Sequence, residues 1–333
     1  MRYLVTGGSG YIGSRLTARL AERDDTERIL ICDVRPPRDQ RANVEFRTLD
    51  VRDAAGVRAA VDAERPDAIV HLAFVLNPSH DHELTYDIDV NGTLNVLRAA
   101  ADANVGQVLV TSSAVAYGAF PDNPVPLTED WPVRGVPGFP YAREKAEADR
   151  LCQLWALQHP DRTMTVVRPC IVFGPNVDNY LVRLWTDQPF QADFGGPDHG
   201  VQFVHEDDVV EAITRLLDGR HTGAFNLAGD GVMPAAECAE LIGLRRRRLP
   251  YVLYRPFVAL MWALRAAEAP PGSLAFSRFP WIVSNEKVKG TLDWTPRYTT
   301  REAFEVTMRA KGRLGDGPPP TLPKPEVQTP VGA

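Results

Sequence analysis

Cysteine is scarce in this chain: four residues in 333, at Cys32, Cys152, Cys170 and Cys238, with no C-x-x-C pair. That scatter excludes a disulfide frame or a cysteine metal knot and predicts buried free thiols in a reducing compartment. Positive charge is not in excess either. Thirty-seven Lys and Arg face 43 Asp and Glu, for a formal net charge of -6, which speaks against a nucleic-acid binder. The one basic run, Arg245–Arg248, reads as a solvated loop or helix end. No apolar run approaches the length of a membrane span. The start, MRYLVTGGSG, lacks the basic-then-apolar pattern of a signal peptide. These absences together predict a soluble, cytoplasmic protein.

What is present is a rhythm. Apolar runs suited to buried parallel strands occur at Arg2–Thr6, Arg28–Asp33, Val44–Leu49, Ala68–Ala73, Gln107–Ser112 and Met164–Cys170. Helical patterns lie between them, at Tyr11–Glu22, Ala54–Ala63, Leu84–Ala103 and Tyr141–Gln158. Strand and helix in alternation predict an α/β fold with a Rossmann-type doubly wound parallel sheet. Such sheets bind ligands at the carboxyl ends of their strands. After Gly174 the rhythm breaks, and a smaller mixed α/β lobe is expected to interleave with the sheet. The sheet domain is read as 1–173 plus about 201–230, the lobe as about 174–200 plus 231–312, and 313–333 as a disordered Pro-rich tail.

The first strand runs into TGGSGYIG. Gly7, Gly10 and Gly13 are spaced for a tight turn, close approach of backbone to a pyrophosphate, and a helix N-terminus facing the phosphates. Asp33 ends the next strand 20 residues after Gly13. A carboxylate there accepts hydrogen bonds from ribose hydroxyls and repels a 2′-phosphate, so NAD is expected and NADP is less favoured. Arg35 and Arg38 follow closely and work the other way. Asp50-Val51 and His71-Leu72-Ala73 end the next two strands and would line the same crevice.

Of the nine tyrosines, Tyr141 alone has a lysine four residues on, Lys145, which puts phenol and ammonium on one helix face. An ordinary tyrosine has a pKa near 10 and is a poor base at neutral pH. A neighbouring positive charge favours the phenolate, which is what general acid–base work needs. Thr111, Ser112 and Ser113, at the end of the fifth strand, could supply a hydroxyl to hold a substrate oxygen.

With TGGSGYIG, LDVRD, HLAF, DVNGTLNVLRAA, SSAVAYG, YAREK, VVRPCIVFGPN and QFVHEDDVV in this order, the chain resembles the extended short-chain dehydrogenase/reductases of the NAD-dependent epimerase/dehydratase type, over about residues 1–310. The resemblance implies Ser113, Tyr141 and Lys145 as catalytic residues. It implies cofactor contacts from Gly7, Gly10, Tyr11, Ile12, Gly13, Asp33, Asp50, Val51, Leu72, Ala73, Asn91, Ser112 and Pro169, with Tyr141 and Lys145. Asn91 is expected on the helix behind the active site. A small-molecule substrate is implied, and a homodimer through the helices spanning about 84–103 and 141–158.

Three departures bear on the substrate. Ile171 stands where nucleotide-sugar enzymes of this type carry an amide, Val201-Gln202-Phe203 replaces Arg-Asp-Phe, and Pro270-Pro271-Gly272-Ser273 replaces Arg-x-Gly-Asp. Arginines and amides hold diphosphates, although Arg278 could compensate. The segment 251–267 is apolar instead. Phe257, Leu260, Met261 and Leu264 form one stripe, and Val258 and Trp262 a second face. It is expected as a helix packed on the lobe's core, with a lipophilic pocket wall or a membrane-surface helix as alternatives. Phe74, Val75 and Leu76 would also make the pocket apolar. The HDHE run, His80–Glu83, reads as a helix start capped by Asp81, not as a metal site. His205 reads as a hydrogen-bonded structural histidine.

Three functions remain open on the sequence. The first is an epimerase or dehydratase acting on a sugar-like, possibly nucleotide-sugar, substrate. The second is a net dehydrogenase or reductase of an apolar alcohol or ketone, resembling the 3β-hydroxysteroid dehydrogenase branch. The third is a non-catalytic NAD-binding scaffold.

Overall fold

The structure, a computed structural model, describes residues 1–39 and 41–315. The expected tail lies, from residue 316 on, outside the described residues. Seven strands form the central sheet: β1 (Arg2–Thr6), β2 (Arg28–Asp33), β3 (Val44–Thr48), β4 (Ala68–His71), β5 (Gln107–Thr111), β6 (Thr163–Pro169) and, after β7 (Ile171–Phe173), β8 (Gln191–Asp193) and β9 (Phe203–His205), the edge strand β10 (Gly223–Leu227). Their order is β10-β6-β5-β4-β1-β2-β3, and every pairing is parallel. The inner strands read AIVH and QVLVT and are buried almost throughout, as strands covered by helices on both faces must be. The order reverses between β1 and β4. That gap is the topological switch point, where such sheets open a crevice.

The covering helices are α1 (Tyr11–Ala21), α2 (Ala54–Glu64), α3 (His82–Tyr86), α4 (Gly92–Asp102), α5 (Pro140–Gln158), α6 (Tyr180–Thr186) and α7 (Glu206–Asp218). The lobe adds α8 (Ala235–Leu241), the short strand β11 (Arg246–Arg248) paired with β8, α9 (Tyr251–Ala263) and α10 (Glu286–Leu292), and α11 (Thr300–Ala310) closes the described chain. One hydrophobic cluster runs from Tyr3 and Val5 through Phe173, Phe203 and Phe304 to Met233 and Cys238. Lobe and sheet therefore share a core. All four cysteines are free and buried, and burial pushes the Cys32 and Cys238 thiols up to about 12.

Besides the basic run at Arg245–Arg248, of which Arg246–Arg248 form the exposed strand β11 and not a loop or helix end, two expectations need correction. The continuous helix at 84–103 is in fact α3, a π turn at Asp87–Asn91 and then α4. The wider turn fits one extra residue into the helical path and shifts the faces of all that follows. The second concerns α9. Phe257, Leu260 and Leu264 do not pack on the core but stand 52%, 57% and 63% exposed. The face turned inward carries Tyr251, Tyr254, Val258 and Trp262, also at helical spacing. Large apolar side chains lie on both faces of the segment, so periodicity does not select the inward one.

Candidate active site

The crevice at the switch point has a volume of about 590 Å³. Its floor is the turn between β1 and α1. Gly7 has φ of +70°, and a Cβ there would meet the backbone nitrogen of Ala73 at 2.6 Å. A Cβ on Gly13 would meet the Gly7 carbonyl oxygen at 2.2 Å, so both positions need glycine. Gly10 caps α1 with no side-chain hydrogen bond, leaving the helix's first N–H groups free for an anion. The Ser9 hydroxyl is buried and has no partner among the described residues. An uncapped helix start, a cradle that a Cβ would fill and an orphaned hydroxyl suit a pyrophosphate.

At the β2 end, the Asp33 carboxylate accepts from the backbone N–H of Ser9 at 3.1 Å and of Arg35 at 3.2 Å. Those bonds aim it along the crevice, where a ribose would lie. Asp50 is engaged by Arg52 at 2.6 Å. Tyr11 donates its hydroxyl to the buried Glu206, tying α1 to α7.

The other end of the crevice holds the reactive groups. Tyr141 and Lys145 project from the first turns of α5, which begins with Pro140 at its first position, a residue preorganised for a helix start. Lys145 is buried. Its Nζ donates to the Thr111 carbonyl at 2.8 Å and lies 3.1 Å from the centroid of the Phe74 ring. It stands 6.0 Å from the centroid of the Tyr141 ring. Ser113 ends the β5 run, its hydroxyl accepting from the Val115 N–H at 3.3 Å.

The electrostatics centre on a carboxylate not singled out from the sequence. Asp89 is fully buried in the π turn; one oxygen accepts from the Val75 N–H at 2.8 Å and the other has no hydrogen-bond partner among the described residues. Burial pushes the Asp89 carboxyl up and the Lys145 ammonium down, and each opposes the other's shift by its own charge. Burial, with the Asp89 charge, also pushes the Tyr141 phenol up, while the Ser113 hydroxyl works in the opposite direction. Behind them His71 is held neutral. Burial and the Lys145 charge depress its pKa to about 3, and its ring nitrogens meet Thr6 Oγ1 at 2.6 Å and Thr93 Oγ1 at 3.0 Å.

The structure brings all but one of the expected residues into this crevice. The glycines with Tyr11 and Ile12, then Asp33, Asp50, Val51, Leu72 and Ala73, line it toward the cofactor end; Ser112, Ser113, Tyr141, Lys145 and Pro169 line the other. Asn91 does not. It is exposed and donates to Asp87 at 2.9 Å on the outer surface. The π turn carries Asn91 round the axis, so that Ile88 lines the crevice and Asp89 is buried behind it. The only signal in the sequence is a second acid, Asp89, two residues after Asp87 and two before Asn91-Gly92.

Beyond Tyr141 the walls are Phe74, Val75, Leu76, Ile171, Val172, Tyr180, Leu181 and Trp281. Polar groups here are Asn77, Asp178 and Asn179, and among the described lining residues the one arginine, Arg35, lies at the Asp33 end. Arg278 stacks instead over Tyr251, at 4.3 Å. Gln202 is buried and bonded to the Val283 backbone at 2.8 and 3.1 Å. Asp81 caps α3 by accepting from the Leu84 N–H at 3.0 Å. His205 caps α7 and stacks on Tyr298 at 3.8 Å.

Against known proteins, the model of the NAD dependent epimerase/dehydratase family matches residues 3–228. An uncharacterized protein of Mycobacterium tuberculosis is 26% identical over 320 residues, covering 93% of this chain and 84% of that protein. The dTDP-glucose 4,6-dehydratase of Bacillus anthracis, solved in complex with NAD, superposes with a TM-score of 0.70 at 18% identity, over 94% of this chain and 97% of that one. DesIV of Streptomyces venezuelae, a dTDP-glucose 4,6-dehydratase solved with NAD and TYD bound, gives a TM-score of 0.71 at 22% identity, over 94% and 97%. At those identities the two structures speak to the fold.

Proposed function

We propose, for a chain that belongs to the NAD dependent epimerase/dehydratase family, that it oxidises a secondary alcohol carbon of a sugar-like substrate at Tyr141 and returns the hydride to the same molecule. It is an enzyme of the NAD-dependent epimerase/dehydratase type. The observation that carries the mechanism is the convergence of Tyr141, Ser113 and Lys145 at the crevice end opposite the glycine turn and Asp33. NAD, when bound, supplies the hydride acceptor. Gly7, Gly10 and Gly13 would admit its pyrophosphate and Asp33 its adenosine ribose. The Ser113 hydroxyl holds the substrate oxygen and Tyr141 takes its proton. Burial raises the phenol, so its ionisation depends on positive charge brought to it, and Lys145 is the cation within reach. For that, Lys145 turns from the Thr111 carbonyl toward the phenol.

A second reading is favoured by the walls. Phe74, Leu76, Ile171, Leu181 and Trp281 with Asp178 offer apolar surface and a negative charge where a diphosphate would need cations. This supports an apolar alcohol or ketone as substrate, with net oxidation or reduction. As to assembly, we propose a homodimer through α3–α4 and α5, on which Leu154 and Leu157 stand 54% and 78% exposed.

The test is Tyr141→Phe. Its NAD affinity should match the wild type, measured by titration calorimetry, while turnover falls by about two to four orders of magnitude. Wild-type turnover in this variant on a validated substrate would remove Tyr141 from the chemistry.

A further inference from the structure

Helix α9 wears its apolar side chains outward. Val252 and Leu253 are 76% and 70% exposed, and Phe257, Leu260 and Leu264 continue the same surface. These residues are not waiting for a core, because the opposite side is filled. Val258 is buried, Trp262 stacks on His80 at 3.8 Å, and Tyr251 and Tyr254 meet Phe194 at 5.3 and 5.6 Å. The lobe presents a fixed helix whose apolar face has no partner among the described residues.

Charge says what that face meets. From Leu244 to Ala267 the sequence holds six arginines and no acid, in a chain whose net charge is -6. Arg245–Arg248 lead into the helix along β11, Arg255 lies within it, and Arg265 follows its end; all six are exposed. Basic residues flanking an apolar helix face match an anionic phospholipid surface, headgroup charge outside and acyl chains within. A second copy of this chain fits poorly, since two-fold pairing of the face would set arginines against arginines. At 13 residues α9 is too short to span a bilayer, and no helix among the described residues is long and apolar enough to cross one.

We infer that α9 and its arginines are a docking surface for an anionic phospholipid bilayer. The helix lies in the interface plane with Phe257, Leu260 and Leu264 inserted and the arginines on lipid phosphates. The loop from Leu76 to His80 joins this surface to the crevice, since Leu76 lines the crevice and His80 stacks on α9. Docking therefore brings the crevice walls close to the bilayer. The inference stands independently of the reaction assigned above.

The experiment is co-sedimentation of the full chain with vesicles of phosphatidylcholine, alone or mixed with phosphatidylglycerol, at low and high salt. The chain should pellet with the phosphatidylglycerol vesicles and be released as salt screens the arginines. Arg245→Gln should weaken partition about fivefold, and Leu260→Asp should abolish it. Both side chains are exposed, so unchanged NAD binding by the two variants would show that the fold is kept. Absence of pelleting, equal pelleting with pure phosphatidylcholine, or unchanged pelleting of Leu260→Asp would each overturn the proposal. So would a wild-type dimer that Leu260→Asp converts to monomer without any vesicle binding, which would assign the face to a second copy.

Discussion

Lys145 and Asp89 share one buried space, and neither can be understood alone. Burial drives the lysine toward neutrality and the Asp89 charge pulls it back. A lysine that helps ionise a phenol must be charged, and the Asp89 charge favours that state. Asp89→Asn should lower the pH at which Lys145 loses its proton. The pH dependence of Lys145 labelling by an amine-selective reagent, read by mass spectrometry, checks this; an unchanged profile would dissociate the two residues. Legibility in the sequence was uneven at this scale. The glycine turn, Asp33 and the Tyr141–Lys145 pair could be read because their spacing is dictated by local geometry. Asp89 could not, because the difference between a buried and an exposed face of Asp-Ile-Asp-Val-Asn rests on a π turn that composition does not announce.

Among the elements, α5 carries the reactive pair, and its position is set from behind. Arg168 at the end of β6 reaches across to Asp149, two turns beyond Tyr141, with Nε and a terminal nitrogen 2.9 and 2.8 Å from the carboxylate oxygens. It also donates to the Tyr117 hydroxyl at 2.7 Å. Burial opposes the charge on Asp149, yet the bonds from Arg168 hold its carboxyl below the ordinary range. Removing one partner leaves the other charged and dry. Asp149→Ala should cost about 3–5 kcal/mol of stability in urea unfolding, whereas the paired change Asp149→Leu with Arg168→Met should cost much less. Equal losses would mean that the hydrogen bonds Arg168 gives to Tyr117 and to the Glu129 carbonyl, not the unpaired charge, set the cost. The parallel strands were legible because both faces of each are buried and their apolar runs are short and continuous. The outward face of α9 was not, because large apolar side chains lie on both its faces and tertiary contacts with Phe194 and His80 make the choice.

For the whole molecule, the sheet order places the glycine turn, Asp33 and Tyr141 around one switch point, and Ile171, Tyr180, Leu181 and Trp281 close the far side. That architecture was legible from the strand–helix rhythm. The walls were not, because the lobe's residues come from segments distant in the chain. If the chain pairs through α3–α4 and α5, Leu157→Asp should convert a dimer to monomer in sedimentation velocity while leaving NAD affinity unchanged; a mass unaffected by the variant would place any interface elsewhere. The most direct test of the central claim, that NAD stays in the crevice and is recycled there, is to dialyse freshly purified protein extensively, denature it and identify the released nucleotide. The account predicts NAD, retained in stoichiometric amount. Nucleotide-free protein that exchanges NAD freely and leaves reduced cofactor in solution would contradict it.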